Sequence, residues 1–543
     1  MCGIFGILGN AFHTQQEIVT ASNKAARRGP EFSTLKNISW LRLNMGSLGF
    51  HRLAINGLDT DSHQPLMLGG CYLVCNGEIY NYKKLIKEND FHVNTRSDCE
   101  VILHLYKKYG MEYTLRLIDG VFAFILVDPE NNKGYVARDT FGVRPLFFFA
   151  STNKEYYGFG SEMKQLVTLS DNEKIEQFAP GTFCSFDILG HKVRKSDSKP
   201  FSYFPFGAHS HLEREAYLPI IKNAFQDAVK KRVDNTDRPI ACLLSGGLDS
   251  SLVTALVAGF VKDVSNLETY SIGLEGSEDL KNAQKVADFL GTKHTSIVAT
   301  EEEFLNSIPE VIYAIESYDT TTVRASVGNF LVTKFISENS EAKVIFNGDG
   351  SDELTGGYLY FHKCPSSQEF DKETRRLLQN IHFFDGLRSD RCISYHGLEA
   401  RTPFLDRTWV EKYLMIPNHI RNHNINKSCE KSLLREAFSG ANILPEEILW
   451  RTKEAFSDGV SSYKKSWYET IQDHLTNDIV IDTTNMVNPP QTNEQKYYRQ
   501  LFENHYPHCG HVIPYFWMPR FINASDASAR SLAIYDALVK TKK

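Results

Sequence analysis

The sequence predicts a two-part α/β protein, a β-rich first part followed by a parallel α/β part that ends in helices. Three observations carry this. Residues 1 to about 190 read as short strands with turns between them, a polar stretch broken by Pro and Gly follows, and beyond it strand and helix begin to alternate.

In the first part, apolar runs mark strands at Leu41 to Ile55, Cys71 to Cys75, Val121 to Asp128 and Gly134 to Arg138. The text KSDSKPFSYFPFGAHSHLERE has no sustained apolar period, which places the linker at 191–212 and divides the chain into 2–190 and 213–543. Glu213 to Lys231 has an amphipathic helical pattern, Ile240 to Leu244 is a short apolar strand, and Asp249 to Phe260 is helix again. Strand followed by helix suggests a parallel sheet. Glu373 to Leu387, Lys427 to Phe438 and Thr492 to His505 keep a helical period, and the closing KTKK reads as a solvated tail. No internal repeat is visible.

Composition narrows the function classes. At 543 residues the chain has room for two catalytic domains, and 42% hydrophobic with 23% charged residues describes a packed globular protein. A net charge of −6 gives no reason to expect a nucleic-acid partner. No apolar run approaches the ~20 residues of a membrane span, and MCGIFGILGN lacks the features of a signal peptide, so a cytoplasmic setting is expected. Ten cysteines without framework spacing suggest free thiols.

One cysteine sits at the chain start. The small side chain of Cys2 favours removal of Met1, and a free α-amino group with a pKa near ~7.7 to 8.0 is a general base for the thiol on its own residue. The opening CGIFGI, then ARRGP (26–30), HRLAI (51–55), CNGEIYN (75–81) and RSDCE (96–100), resembles in order the amino-terminal-nucleophile glutamine amidotransferases. That resemblance implies an αββα Ntn hydrolase-like domain with Cys2 as nucleophile and Asn76 and Gly77 as the oxyanion hole. It implies Arg52 on the α-carboxylate of glutamine, a pairing suited to the planar guanidinium. Leu53, Ala54, Ile55 and Asn56 continue that wall, and Glu78 and Asp98 receive the α-amino group. Ser97 followed by Glu100 reads as a capping box opening a helix from Asp98 to Lys108. ARDTFGVRPLFF (137–148) belongs to the same resemblance, with Arg138 and Asp139 expected to be structural.

In the second part, LLSGGLDSS (243–251) lies between a strand and a helix, where backbone N–H groups cradle phosphate. No Gly-Lys-Ser/Thr closes it, so it is not a Walker A loop. SGGxDS resembles the loop of ATP pyrophosphatase-type enzymes, which split ATP into AMP and diphosphate. The later segments SIGLEGSEDL, YDTTTVRAS, FNGDGSDELTGGYLYFHKCP, FFDGLRSDR, HGLEARTPFLD and RTKEAFSDG resemble the glutamine-hydrolysing asparagine synthetases, and the resemblance runs to FWMPRFINASDASARSL near the end. It implies ATP contacts from Leu244, Ser245, Gly246, Gly247, Asp249, Ser250, Ile272, Asn347, Gly348 and Lys453. Thr321, Thr322, Arg324, Asp385, Arg388, Glu399 and Arg401 are implied around aspartate or its activated form. Asp349 is the candidate base, and Asp249 with Asp352 the candidate Mg²⁺ ligands accompanying ATP.

The implied reaction consumes ATP, aspartate, glutamine and water and yields AMP, diphosphate, asparagine and glutamate, through β-aspartyl-AMP and channelled ammonia. The expected partners are these small molecules, with no nucleic acid or membrane, and a homodimer is carried over from the family. Two positions depart from the family's frequent wording S-G-E-G-S-D-E: Asn347 stands for serine, and Asp349 for glutamate, one methylene shorter. The nearest rival is an amidotransferase acting on another carboxylate, which the aspartate-side segments argue against. A non-catalytic relative is disfavoured by the joint presence of Cys2, Arg52, Asn76, Asp98 and SGGLDSS. The group His505, His508, Cys509 and His511 matches no common zinc spacing, and Lys230-Lys231-Arg232 reads as a solvated helix end.

Overall fold

The computed structural model describes residues 1–40, 43–171, 173–189, 192–202, 212–454, 456–461, 465–475, 478–532 and 535. In chain order the first half contains β1 (Gly3–Gly9), β2 (Phe32–Trp40), β3 (Leu43–Arg52), β4 (Leu66–Leu68), β5 (Cys71–Ile79), β6 (Gly120–Asp128) and β7 (Lys133–Arg138). There follow β8 (Phe147–Ala150), β9 (Tyr156–Gly160), β10 (Glu176–Gln177), β11 (Thr182–Ile188), β12 (Val193–Lys195) and β13 (Lys199–Pro200). They form two antiparallel sheets, ordered β10-β8-β9-β1-β3-β2 and β12-β11-β7-β6-β5-β4, with β13 also on β11.

Alternation along the strands explains why the sheets stack. Ile4 and Leu8 of β1, Phe50 of β3, Ile125 and Val127 of β6 and Phe186 of β11 share the core between them. Phe5, Ile7 and Phe147 point the other way, against helix Gln15–Asn23 and the second half of the chain. On the far side, Cys75, Phe124 and Leu126 meet helices Tyr82–Asn89, Glu100–Tyr109 and Met111–Leu117. The layers are therefore helix, sheet, sheet, helix, the αββα order expected.

The second half holds β14 (Ile240–Leu243), β15 (Glu268–Leu274), β16 (Lys293–Ala299), β17 (Val344–Phe346) and β18 (Glu399–Arg401), all parallel, in the order β16-β15-β14-β17-β18. Helices Leu248–Phe260 and Glu278–Leu290 carry the chain outward to β16; Glu301–Ile315 and Thr320–Asn339 then bring it back to the other side of β14. This reversal opens a crevice beyond the carboxyl ends of β14 and β17, the usual ligand position in such sheets.

Several boundaries differ from the sequence expectation for identifiable reasons. The span Glu373 to Leu387 is two helices, Ser367–Asn380 and Asp385–Ser394, because Phe384 leaves helical geometry at φ −124°, ψ −106°. The span Lys427 to Phe438 keeps only Ser432–Phe438, since Lys427 and Lys431 are left-handed at φ 51° and 59°. The stretch expected as linker begins inside the second sheet, where β12 and β13 pair with β11. Its residues 203–211, and the closing KTKK, lie outside the described residues.

Buried charge joins the halves. Arg28 reaches Asp390 at 2.8 Å, Arg144 reaches Glu399 at 3.4 Å, and the carboxylate of Glu316 accepts the backbone N–H groups of Met163 and Lys164, each at 2.8 Å. Lys231 and Arg232 are part of this interface rather than a solvated face: Arg232 is buried and pairs with Asp406 at 2.8 Å, while Lys231 reaches Asp119 at 2.6 Å. The charges that looked like a helix-end run have acidic partners that only folding supplies. All ten cysteines are free and eight are buried, as expected. Among the described residues, no helix is long and apolar enough to cross a membrane, and no group of His, Cys, Asp or Glu is arranged to hold a metal by itself.

Candidate active site

Cys2 leads into β1, an interior strand of the first sheet, and its Sγ lies 3.5 Å from the Leu53 carbonyl oxygen. Burial pushes the thiol up to about 11, although the neighbouring amino group and the Leu53 contact pull the other way. This describes the chain with Met1 attached, in which the Cys2 nitrogen is an amide and has no basic lone pair. Met1 is wholly buried against β18, its amino group donates to the Leu398 carbonyl at 2.7 Å, and burial lowers that group to about 5.

The residues predicted around Cys2 come from both sheets and meet at one end of the sandwich. Arg52, the last residue of β3, donates from Nη1 to the Asp59 carbonyl at 2.7 Å and contacts His63 Nδ1 at 2.9 Å; Nη2 donates to the Gly57 carbonyl. A loop thus fixes the fork's orientation. Asn76 is buried in β5 and its Nδ2 has no hydrogen-bond partner, a donor left for an incoming acceptor. Gly77 is required by its neighbour strand: a Cβ there would lie 2.5 Å from the Val121 carbonyl and 2.7 Å from Phe122. Close strand approach, rather than approach to a ligand, demands this glycine.

The acids are held differently. Asp98 Oδ2 accepts the Ile79 N–H at 2.6 Å, yet burial raises its carboxyl to about 6. Glu78 accepts from Asn56 at 2.6 Å and Asn235 at 2.8 Å and lies 3.3 Å from Arg401, so its carboxylate is shared with the second half. The Ala54 N–H donates to Glu31 at 2.7 Å, and the Ile55 carbonyl accepts from Asp237 N–H at 2.9 Å. The expected capping box is absent. The helix is Glu100–Tyr109, and Glu100 accepts the N–H groups of Asn94 and Thr95, because the preceding loop curls back over the helix start. Arg138 and Asp139 are structural as expected, binding backbone groups of residues 141–144 and 178.

The second centre fills the crevice above β14 and β17. Its phosphate-type loop is closed on itself: Ser245 N–H donates to Ser250 Oγ at 3.2 Å, and the two hydroxyls lie 3.0 Å apart. Gly246 has φ +70°, and a Cβ there would meet Ala283 N at 2.4 Å, so only glycine serves. Gly348 lets the second loop pass over the first, since a Cβ would lie 2.8 Å from Ser250 N.

Four charges converge between these loops. Lys431 Nζ lies 2.6 Å from both Asp249 and Asp352, and Lys453 Nζ lies 2.6 Å from Asp352. Burial opposes ionisation of Asp352, but Lys431 and Lys453 outweigh it and hold the carboxyl at about 2. Lys453 is in turn held above the ordinary lysine range by Asp352 and Asp249 despite burial. Two carboxylates facing a phosphate-shaped loop also fit Mg²⁺, which is held by one or two carboxylates together with substrate phosphates.

Farther along the crevice, Arg388 binds Asp349 at 2.7 Å and Asp385 at 3.0 Å, and Asp349 Oδ2 is buried with no hydrogen-bond partner. Burial raises Asp349 against the pull of Arg388. The hydroxyl of Tyr358 bridges Glu353 at 2.7 Å and Asp385 at 2.8 Å. Thr321 Oγ1 lacks a partner, and Thr322 is fixed by Asp319 at the helix start, at 2.9 Å through N–H and 2.7 Å through Oγ1. Asn347, where serine is frequent, turns Nδ2 to Ser389 Oγ at 2.6 Å.

Leu244, Ser245, Gly247, Asp249, Ser250, Ile272, Asn347, Gly348 and Lys453 all line this crevice, as do Asp349, Asp352, Thr321, Thr322, Asp385 and Arg388. Gly246 stands just behind it in the same loop. Three expected residues lie elsewhere. Arg324 is buried beneath the crevice wall, paired with Glu494 at 2.6 Å and Asp526 at 2.7 Å. Glu399 and Arg401 lie in β18, bound to each other at 2.7 Å and to Arg144 and Glu78 across the interface. Sequence reasoning missed Lys431, Tyr358 and Trp517, which line the crevice. Tyr358 and Trp517 fall inside quoted segments; Lys431 falls in a stretch read only as helix.

Two family models match the chain: a glutamine amidotransferase domain over residues 1–197, and asparagine synthase over 221–369 and 363–517. The asparagine synthetase [glutamine-hydrolyzing] of Gallus gallus is 42% identical over 569 residues, covering 99% of this chain and 100% of that protein. The proteins of the same name from Bos taurus and Homo sapiens are each 42% identical, again covering 99% of this chain and 100% of their own length.

Proposed function

The chain belongs to the asparagine synthase family, and from that premise we propose how its two centres divide one reaction. The protein is a ligase that makes asparagine with nitrogen drawn from glutamine, and ATP is among its substrates. Residues 2–190 are assigned the release of nitrogen, 191–212 the link, and 213–543 its capture.

After removal of Met1, the Cys2 amine takes the thiol proton and Sγ attacks the amide carbon of glutamine. Arg52 holds the α-carboxylate, Asp98 and Glu78 attract the α-ammonium, and Leu53 to Asn56 wall the site. The oxyanion accepts from Asn76 Nδ2 and the Gly77 N–H, donors already oriented before charge develops. The proton held by the Cys2 amine passes to the departing nitrogen, ammonia leaves, and water hydrolyses the thioester to glutamate.

In the crevice, the β-carboxylate of aspartate attacks the α-phosphorus of ATP, and the bond to diphosphate breaks. Residues 244–250, Ile272, Asn347 and Gly348 hold the nucleotide, and Lys431 and Lys453 neutralise the leaving diphosphate. Asp249 and Asp352 would hold Mg²⁺, which when bound offsets phosphate charge. Thr321, Thr322, Asp385 and Arg388 orient aspartate. Ammonia then attacks β-aspartyl-AMP, and the unpartnered Oδ2 of Asp349 takes its surplus proton as AMP departs. Only neutral ammonia has the lone pair for this step, so a sheltered route between the centres is part of the proposal.

The observation that carries this reading is the convergence of Asp249, Asp352, Lys431 and Lys453 on a glycine-closed loop at the sheet's switch point. ATP, aspartate and amide-labelled glutamine should give labelled asparagine with AMP as the nucleotide product; ADP in its place would refute it. A cytoplasmic homodimer without nucleic-acid or membrane partners completes the proposal.

A further inference from the structure

The geometry points to the segment from Trp517 to Arg530 as a strap that positions the Lys453 loop, with Arg530 a positioning residue for ATP. This rests on the reading of the crevice as the ATP site.

Arg451, Lys453 and Phe456 wall the crevice, and among the described residues of 451–461 the regular structure is one helical turn, Phe456–Gly459. Residues 528–530 contact this loop directly. Arg530 donates to Glu454 Oε1 from Nε at 3.1 Å and Nη2 at 2.7 Å, and Nη2 also reaches the Asp458 carbonyl at 2.8 Å. Ser528 Oγ and the Ala529 N–H donate to the Asp458 carboxylate at 2.7 and 3.1 Å.

The connection continues inward. Glu454 lies 3.5 Å from Arg451, and Arg451 donates to the Gly246 carbonyl at 2.9 Å and to Asp279 at 3.0 Å. An unbroken series of charge-assisted contacts therefore runs from Arg530 through Glu454 and Arg451 to the left-handed glycine of the phosphate-type loop. Two more anchors tie the strap to helix Thr320–Asn339. Asp526 accepts from both Nη atoms of Arg324, at 2.7 and 2.9 Å, and the Trp517 N–H donates to Asp319 Oδ1 at 2.7 Å while its side chain lines the crevice. This gives Arg324 a role that its absence from the crevice left open.

Arg530 does not line the crevice; it acts through Glu454, whose side chain is only 7% exposed. Removing the guanidinium takes two hydrogen bonds from Glu454 and leaves it Arg451 at 3.5 Å and the Tyr535 hydroxyl at 3.1 Å, so the loop that carries Lys453 is held less firmly in place. Arg530→Ala is expected to raise KM for ATP at least about tenfold while glutaminase kcat/KM stays within about twofold. Arg530→Lys should recover part of the loss, since an ammonium can meet Glu454 but cannot also span to the Asp458 carbonyl. An unchanged KM for ATP in Arg530→Ala, or equal losses in both half-reactions, overturns the proposal. If Arg530→Ala does not fold, Ser528→Ala serves, with an expected rise of about threefold and no rise overturning it. ADP formation by the unsubstituted protein would instead defeat the underlying adenylation reading, a result visible before any variant is made.

Discussion

Asn76→Ala is expected to separate catalysis from stability. The side chain is buried and its Nδ2 makes no hydrogen bond, so the folded protein already bears the cost of an unsatisfied donor. That cost is about 1–3 kcal/mol, and its removal offsets much of the packing lost on truncation, leaving a net change of about 1 kcal/mol or less. In the transition state the same donor meets developing negative charge, where one oxyanion contact contributes about 2.7–4 kcal/mol, or ~10²–10³ in kcat. The assay is glutamate release from glutamine, paired with ammonia-dependent asparagine formation and a denaturant titration on the same preparation. Glutaminase kcat should fall by about 10²–10³, with KM for glutamine little changed because Arg52 and Asp98 remain, and ammonia-dependent synthesis should hold within about twofold. A fall in glutaminase kcat of less than about tenfold refutes the oxyanion role, and a parallel loss of both activities shows that Asn76 serves the fold.

Other outcomes follow from the same geometry. Cys2→Ala should abolish glutamine-dependent synthesis and spare ammonia-dependent synthesis, measured as asparagine formed from each nitrogen source. Asp98, raised to about 6 chiefly by burial, is neutral below that pH and loses its hold on an ammonium, so KM for glutamine should climb as pH falls through about 6 while KM for aspartate does not follow. The raised carboxyl also means that Asp98 favours the folded state at low pH, and this contribution is lost as pH rises from its ordinary 3.8 through about 6. Asp352 has the opposite sign: held at about 2 against an ordinary 3.8, it contributes about 2 kcal/mol that is present above 3.8 and lost as pH falls toward 2, an effect that Lys431→Met should diminish in acid denaturation curves. Arg401→Met should leave KM for aspartate unchanged within about twofold and lower stability by roughly 3 kcal/mol, because it removes the cation nearest to both Glu399 and Glu78 at the interface.

What could be read in the sequence is what local chemistry fixes. The strand-and-turn text of the first part and the SGGLDSS loop between strand and helix depend on residue type and near neighbours, and the structure keeps both. Gly246 illustrates why: a left-handed backbone pressed against Ala283 admits one residue, so the loop announces itself. Boundaries were less legible where a single residue leaves helical geometry, as Phe384 does, since apolar periodicity does not register a backbone dihedral.

Partnership was settled only by tertiary structure. Arg324 and Arg401 have the composition of substrate-binding groups, and Lys231 and Arg232 that of a solvated surface; the carboxylates of Glu494, Asp526, Glu78, Asp119 and Asp406 that meet them come from elements distant in the chain. Lys431 is the converse, an unremarked lysine that a left-handed backbone turns onto Asp249 and Asp352. Charge is written residue by residue in the sequence, but the low-dielectric surroundings and facing charges that give it a role exist only once the chain has closed around it.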